Sequence, residues 1–413
     1  MASLEDALGA IWTGTELQRD FEALCDCGGR LAGSESERQA RSYLSSRLDE
    51  IGGKRADLTF DYTGNFPLAA RLALTAPAQR ELEVLALPGS PPGDVAGTVV
   101  DLGLGAERDF AAAGDLLEGA VALVRHEYPF TTGHTHRRFK YEWAKRAGAA
   151  AFLIANDAGA GPVAGGAGTG SPDDIPAAGI SRSAGETLAR AAGAGQATVR
   201  LEVESERRTW PAANLVLDLP GRTGEWVVVC AHYDGHELAE SAMDNATGAA
   251  AVLEIGRRLA PLAGSLRRGI RLCLFTVEEW GLTGSLRYAT GLPEDERRAI
   301  SAAVALDSIT GHPRLCALTT GSARMERLVA LVSARTAVPV DVVRPVLANS
   351  DHHSFHQAGI DAMRLIAGYG RADSLTRRLL TAADTRDLVD PAQLKAAVTT
   401  ATLLVLAACD EDR

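Results

Sequence analysis

Trp226-Val-Val-Val-Cys-Ala231 is an unbroken apolar run that stops at His232-Tyr233-Asp234. Ile270-Arg-Leu-Cys-Leu-Phe275 is a second run, followed by Glu278-Glu279, and Ala302-Ala-Val-Ala-Leu306 is a third, closing at Asp307. Short apolar runs bounded by polar residues read as strands buried on both faces. Between the first two, Gly248 to Leu259 has helical periodicity, with Ala251, Leu253, Ile255 and Leu259. Strands alternating with helices predict an α/β fold whose mostly parallel, mixed sheet is sandwiched by helices. In such sheets ligands bind at the carboxyl ends of the strands, where these acidic and imidazole residues fall.

Working outward, Glu16 to Ile51 predicts a helix pair, carried by Leu17, Phe21 and Leu24, then Ala40, Tyr43, Leu44 and Leu48, with Gly33 to Glu37 as loop and cap. Residues 57 to 80 read as strands, with Leu58, Phe60 and Tyr62 alternating with polar neighbours. From about 81 to 200 Gly, Ala and Pro rise, and Ala120 to Arg125 and Ala149 to Ala155 read as short strands between turn clusters. This predicts residues 1–80 as the first part of one domain, 81–200 as a small β-rich α/β insertion and 201–413 as the remainder. The Gly159 to Pro172 segment is glycine-rich and reads as a mobile surface loop.

The chain has 413 residues, 46% hydrophobic and 23% charged, which suits a globular protein with a sizeable core and excludes global disorder. Its net charge of −11 is the wrong sign for wrapping nucleic acid or sitting on an anionic membrane. The first residues, Met1-Ala-Ser-Leu-Glu-Asp6, carry acids where a secretory leader has basic residues, so a cytoplasmic location is expected. Ala401 to Cys409 is too short to span a bilayer and predicts a buried last helix. Cys230, Cys273 and Cys316 read as reduced core thiols, and Cys25-Asp-Cys27 lacks partners at zinc-ligand spacing.

His232, Asp244, Glu279 and Asp307 supply the imidazole and carboxylate donors that a catalytic zinc site uses while leaving a position open for water. Asp234, two residues after His232, is expected to accept the other ring N–H and fix the tautomer. Adjacent glutamates point to different atoms, so one of Glu278 and Glu279 can bind metal while the other acts as general base.

These segments carry a resemblance. Ala231 to Asp234, Ala242-Met-Asp-Asn-Ala-Thr-Gly248, Phe275-Thr-Val-Glu-Glu-Trp-Gly281 and Ser350-Asp-His-His-Ser-Phe355 resemble the co-catalytic zinc aminopeptidases of the aminopeptidase S and aminopeptidase Y type. Glutamate carboxypeptidases and glutaminyl cyclase are relatives of that group. The resemblance implies a zinc-peptidase, phosphorylase/hydrolase-like fold, with residues 81–200 as a protease-associated insertion. It also implies that His232 and Asp307 bind one metal, Asp244 bridges two, Glu279 binds the second, and Glu278 is the general base. Asp234, Asp351 and His352 would support the ligands.

One position departs. Where the family has a histidine ligand after a tyrosine, this chain reads Leu379-Leu380-Thr-Ala-Ala-Asp384-Thr385, and Leu380 has no lone pair to donate. His352, His353 and His356 are the nearby imidazoles, and His353 is the unexpected one, a replacement ligand or a substrate contact. Without a rescue, His232, Asp244 and Asp307 form a one-ion site. In the insertion, His134, His136, Arg137 and Arg138 form a local run of cations suited to a substrate carboxylate or to pairing with the domain's own acids.

The expected activity is metal-dependent hydrolysis of an amide bond in a small peptide or amino-acid conjugate, with one or two zinc ions and Glu278 as base. A single-metal cyclase and a non-catalytic binding protein are the alternatives. The expected partner is the small substrate, with neither nucleic acid nor membrane; oligomeric state is left open.

Overall fold

The apolar run at 226 becomes the central strand of the sheet. In this computed structural model, which describes residues 3–411 apart from 160, 169 and 337, Trp226–His232 is flanked on both sides by parallel neighbours, Gly269–Phe275 and Ile300–Leu306. Ala362–Ala367 continues in parallel beyond Ile300–Leu306. Leu315–Leu318 then joins antiparallel and Asp341–Val343 pairs with it in parallel. On the other side Leu215 to Leu219 run antiparallel to residues 270 to 274. Being buried on both faces, the central strands carry apolar residues at nearly every position.

The chain divides into two units. The first comprises Met1–Phe60, Pro211–Leu379 and Asp384–Arg413; the second comprises Asp61–Trp210 and Leu380–Ala383. The boundaries at 60 and 210 differ from the predicted 80 and 200. The reason is that they fall inside two long strands, Leu58–Ala76 and Thr198–Leu219, whereas the sequence reading followed the change in composition.

In the first unit, helices Glu16–Asp26 and Glu35–Ile51 form the predicted pair, the second capped by the Ser34 hydroxyl accepting from the Glu37 N–H. An additional helix, Leu4–Thr13, precedes them. Thr247–Ala263 packs against the two strands on either side of it in sequence. Val228, Cys230, Phe275, Tyr288 and Phe355 share one apolar cluster on the sheet. The last helix, Pro391–Asp410, is long and apolar enough to cross a bilayer. It packs instead on Thr247–Ala263 and the central strands, with Leu394, Val398, Leu404 and Val405 buried. All six cysteines are free thiols, and all but Cys27 are buried.

In the second unit Gly93–Asp101, Val121–Arg125, Ala151–Ala155 and Ala177–Ile180 run parallel in that order. Val84–Ala86 adds antiparallel at one edge and residues 198 to 203 at the other. The glycine-rich segment departs from the surface loop expected of it. Val163 and Ala164 are fully buried, and the Arg137 guanidinium donates to the carbonyls of Gly166 at 2.9 Å and Ala164 at 3.4 Å. Gly165, between them, has φ +109°, and a Cβ there would lie 2.3 Å from Arg137 Nη2. Gly165→Ala is therefore expected to destabilise this unit by about 1–3 kcal/mol. Thermal unfolding checks it, and an unchanged melting temperature would show that the segment is not braced in this way.

Candidate metal centre

Two strand ends and one helix-entry turn deliver their side chains to one point. His232 ends its strand, Asp307 follows Ile300–Leu306, and Asp244 lies in the turn that enters Thr247–Ala263. One ligand atom from each lies within 4.8 Å of the other two, and among the described residues this is the one such group found. His232 Nε2 is 3.2 Å from Asp244 Oδ1 and 3.7 Å from Asp307 Oδ1. It is buried, yet it makes no hydrogen bond. Its other nitrogen, Nδ1, lies 3.0 Å from the Asp234 carbonyl oxygen. A carbonyl only accepts, so Nδ1 carries a hydrogen, and Nε2, which faces the two carboxylates, is the nitrogen left to offer a metal its lone pair once deprotonated. One imidazole nitrogen and two carboxylate oxygens fit zinc, with a fourth position left for water or substrate.

Here the expectation for Asp234 needs correcting. Its backbone carbonyl, not its carboxylate, fixes the tautomer; the carboxylate is 3.8 Å from Nδ1. The carboxylate instead accepts from the N–H of Glu278 at 3.1 Å and of Glu279 at 3.3 Å. Two successive amides at the start of a turn are a better match for its two oxygens than one ring N–H. Asp234 thus ties the His232 strand end to the glutamate turn. Burial pushes its carboxyl up to about 7, against the pull of His232.

The other buried titrations have the same origin. Burial raises Glu278 well above the usual carboxylate range, and the charges of Glu279, Asp351 and Asp307 add to it. Burial works against a charge on His232, but Glu278, Asp244 and Asp307 outweigh it and hold the imidazole well above its ordinary value. Burial also opposes ionisation of Asp307, where Arg364 and His232 prevail and hold its carboxyl well below the usual range. Asp351 is pushed up to about 6, chiefly by burial.

Three turns around the centre each contain a non-glycine residue in the left-handed region: Ser241 at φ +46° before Asp244, Val277 at +58° before the glutamate pair and Ser308 at +58° after Asp307. For a β-branched residue such as Val277 this is a genuine outlier, of the kind that clusters at functional sites. The turns are locked by neighbours. Asn245 Nδ2 donates to the Leu306 carbonyl at 2.9 Å. Asp384 accepts from the backbone N–H groups of Met243 at 2.8 Å and Asp244 at 3.2 Å.

The remaining candidates lie outside the three-residue group. Glu279 sits in the turn held by Asp234 but is not one of the three. His352 and His353 are not among them either. His352 is buried and neither ring nitrogen is hydrogen-bonded; burial, then the Arg364 cation, takes its imidazole down to about 3. The His353 ring lies 6.3 Å from that of His356. Leu379 and Leu380 are both buried, and the Leu380 carbonyl accepts from the Ala164 N–H at 2.8 Å.

In the second unit, Arg137 braces the glycine-rich segment. His136 caps helix Arg137–Arg146 by accepting from the Arg138 N–H; burial and the Arg137 and Arg138 charges hold its imidazole well below its usual range. His134 Nδ1 is 2.7 Å from the Thr131 carbonyl. Arg138 is exposed, with its guanidinium 5.4 Å from the Phe139 ring centre.

Sequence reading missed three residues that hold this centre: Asp384, Arg364 and Arg30. The signal for Arg364 was there, a lone charge inside the apolar run Ala362–Ala367. Arg30 gave none, because its partners are backbone carbonyls, three of them on a segment distant in sequence.

Comparison with known proteins matches residues 214–405 to Peptidase family M28 and residues 95–188 to the PA domain, as the resemblance implied. The chain is 27% identical over 350 residues to aminopeptidase YwaD of Bacillus subtilis, an alignment covering 83% of this chain and 72% of that one. Among solved structures, an aminopeptidase from Aneurinibacillus sp. strain AM-1 superimposes with a TM-score of 0.73 at 26% identity, covering 96% of this chain and 94% of that chain. A zinc aminopeptidase from Bacillus subtilis gives 0.76 at 23%, covering 96% and 95%, and shares the fold.

Proposed function

Residues 214–405 belong to peptidase family M28, and from that premise we propose that the protein is a zinc-dependent aminopeptidase that releases the N-terminal residue of small peptides. The observation that carries this reading is the convergence of His232, Asp244 and Asp307 donor atoms within 4.8 Å of one another. A zinc ion held by these residues would supply Lewis acidity, for polarising a carbonyl oxygen and for lowering the pKa of water. His232 offers Nε2, with the Asp234 carbonyl fixing its tautomer. Asp244 and Asp307 offer one oxygen each. Glu278, oriented through its backbone by Asp234, takes the proton of the attacking water and returns it to the leaving amine. With Leu380 in place of the usual histidine, we propose one tightly held ion per chain rather than two.

The test is hydrolysis of short peptides with free and with acetylated N-termini, before chelation, after chelation and after zinc is restored. Free peptides are expected to lose their first residue, acetylated ones to resist, and activity to vanish on chelation and return with about one zinc per chain. Full activity after exhaustive chelation, or equal cleavage of acetylated peptides, would overturn the reading.

A further inference from the structure

We infer that Arg364 is an internal counter-cation that competes with the metal for Asp307, keeping the metal-free centre assembled while weakening its hold on the ion. This rests on the metal reading of His232, Asp244 and Asp307.

Arg364 lies in the strand Ala362–Ala367, where all the other residues are apolar and all are buried; it is itself 1% exposed. Its Nη2 is 3.1 Å from Asp307 Oδ1, the oxygen that stands 3.7 Å from His232 Nε2. Nε reaches the Asp307 backbone carbonyl at 3.4 Å, and Nη1 donates to the Asn349 carbonyl at 2.9 Å. The guanidinium therefore holds residue 307 by both side chain and main chain.

A buried guanidinium cannot shed its proton and has no solvent to turn to, so the pair with Asp307 persists whether or not an ion is present. In the metal-free protein it offsets a group of neighbouring carboxylates, Asp244, Glu278, Asp307 and Asp351, that otherwise repel one another. A divalent cation arriving at the same carboxylate has the same sign as the guanidinium. Each weakens the other's attraction to Asp307.

Zinc affinity, measured by competition with a chromogenic chelator, and melting temperature with and without zinc decide the matter in the full chain. Arg364→Met is expected to bind zinc about tenfold or more tightly than wild type. Its metal-free form should melt lower, and zinc should restore more of the difference than it adds to wild type. Arg364→Lys, which keeps the charge, should stay near wild type in both readouts. In Asp307→Asn/Arg364→Met the uncompensated carboxylate is gone, so the metal-free melting temperature should recover.

Unchanged or weaker zinc binding in Arg364→Met would overturn the inference, because an arginine that merely packs or shapes the ligands predicts that result. If Arg364→Met does not fold, recovery in the double variant supports the inference and failure to recover overturns it. Wild-type zinc binding that survives His232→Ala would instead sink the metal reading, and this inference with it.

Discussion

Replacing Glu278 by glutamine lowers turnover by about 10²–10⁴-fold, while the protein still folds and binds zinc. Glutamine matches glutamate in shape but cannot accept a proton as a base. The side chain of Glu278 is not one of the three donors at the centre, and its place is fixed through its backbone N–H, which Asp234 holds at 3.1 Å. The substitution therefore removes proton transfer while leaving the donor atoms of His232, Asp244 and Asp307 in place. Steady-state kinetics on a free N-terminal dipeptide, together with zinc counted per chain, separates the two effects. Activity within about threefold of wild type would reject Glu278 as the base, since the contribution of a general base is far larger than that. Lost zinc alongside lost turnover would instead make it a ligand.

Arg30→Met has the largest expected effect on stability, about 3–5 kcal/mol. The guanidinium is fully buried. It donates to five backbone carbonyls: Leu24 at 3.1 Å, Gly28 at 2.9 Å, Tyr233 at 2.9 Å, Glu240 at 2.6 Å and Ser241 at 2.7 Å. One of these belongs to helix Glu16–Asp26, one to the loop that follows it and three to the segment between His232 and Asp244. Methionine fills similar volume but leaves every one of those carbonyls without its donor. For a unit of this size the loss corresponds to a fall of about 10 °C in melting temperature. Differential scanning calorimetry measures it, with Arg30→Lys as a partial rescue, since a single ammonium has three donors to offer. A fall of under about 2 °C would mean that water replaces the guanidinium and that the segment holds its shape without it.

The zinc-peptidase likeness was legible because the ligand-bearing turns sit directly after apolar runs, and runs of that kind survive as strands whatever surrounds them. His232 and Asp307 could be picked for that reason, and Asp244 from the Met243 to Gly248 cluster that precedes a helix. The role of Asp234 could not be read correctly, because spacing shows that a carboxylate lies two residues from the imidazole and not which of its oxygens faces which hydrogen. Asp384 was visible within Thr381 to Thr385 but had no role until the fold brought it to the amides of Met243 and Asp244.

The amino-acid sequence alone determined the strand and helix order, the helix-covered sheet and the donor types at the strand ends. These follow from apolar periodicity and from the chemistry of single side chains, both of which are local. The tertiary structure alone decided where the two units divide, that Glu279, His352 and His353 stand outside the three-residue cluster, and that Arg364 pairs with Asp307. Those outcomes depend on distances between residues far apart along the chain.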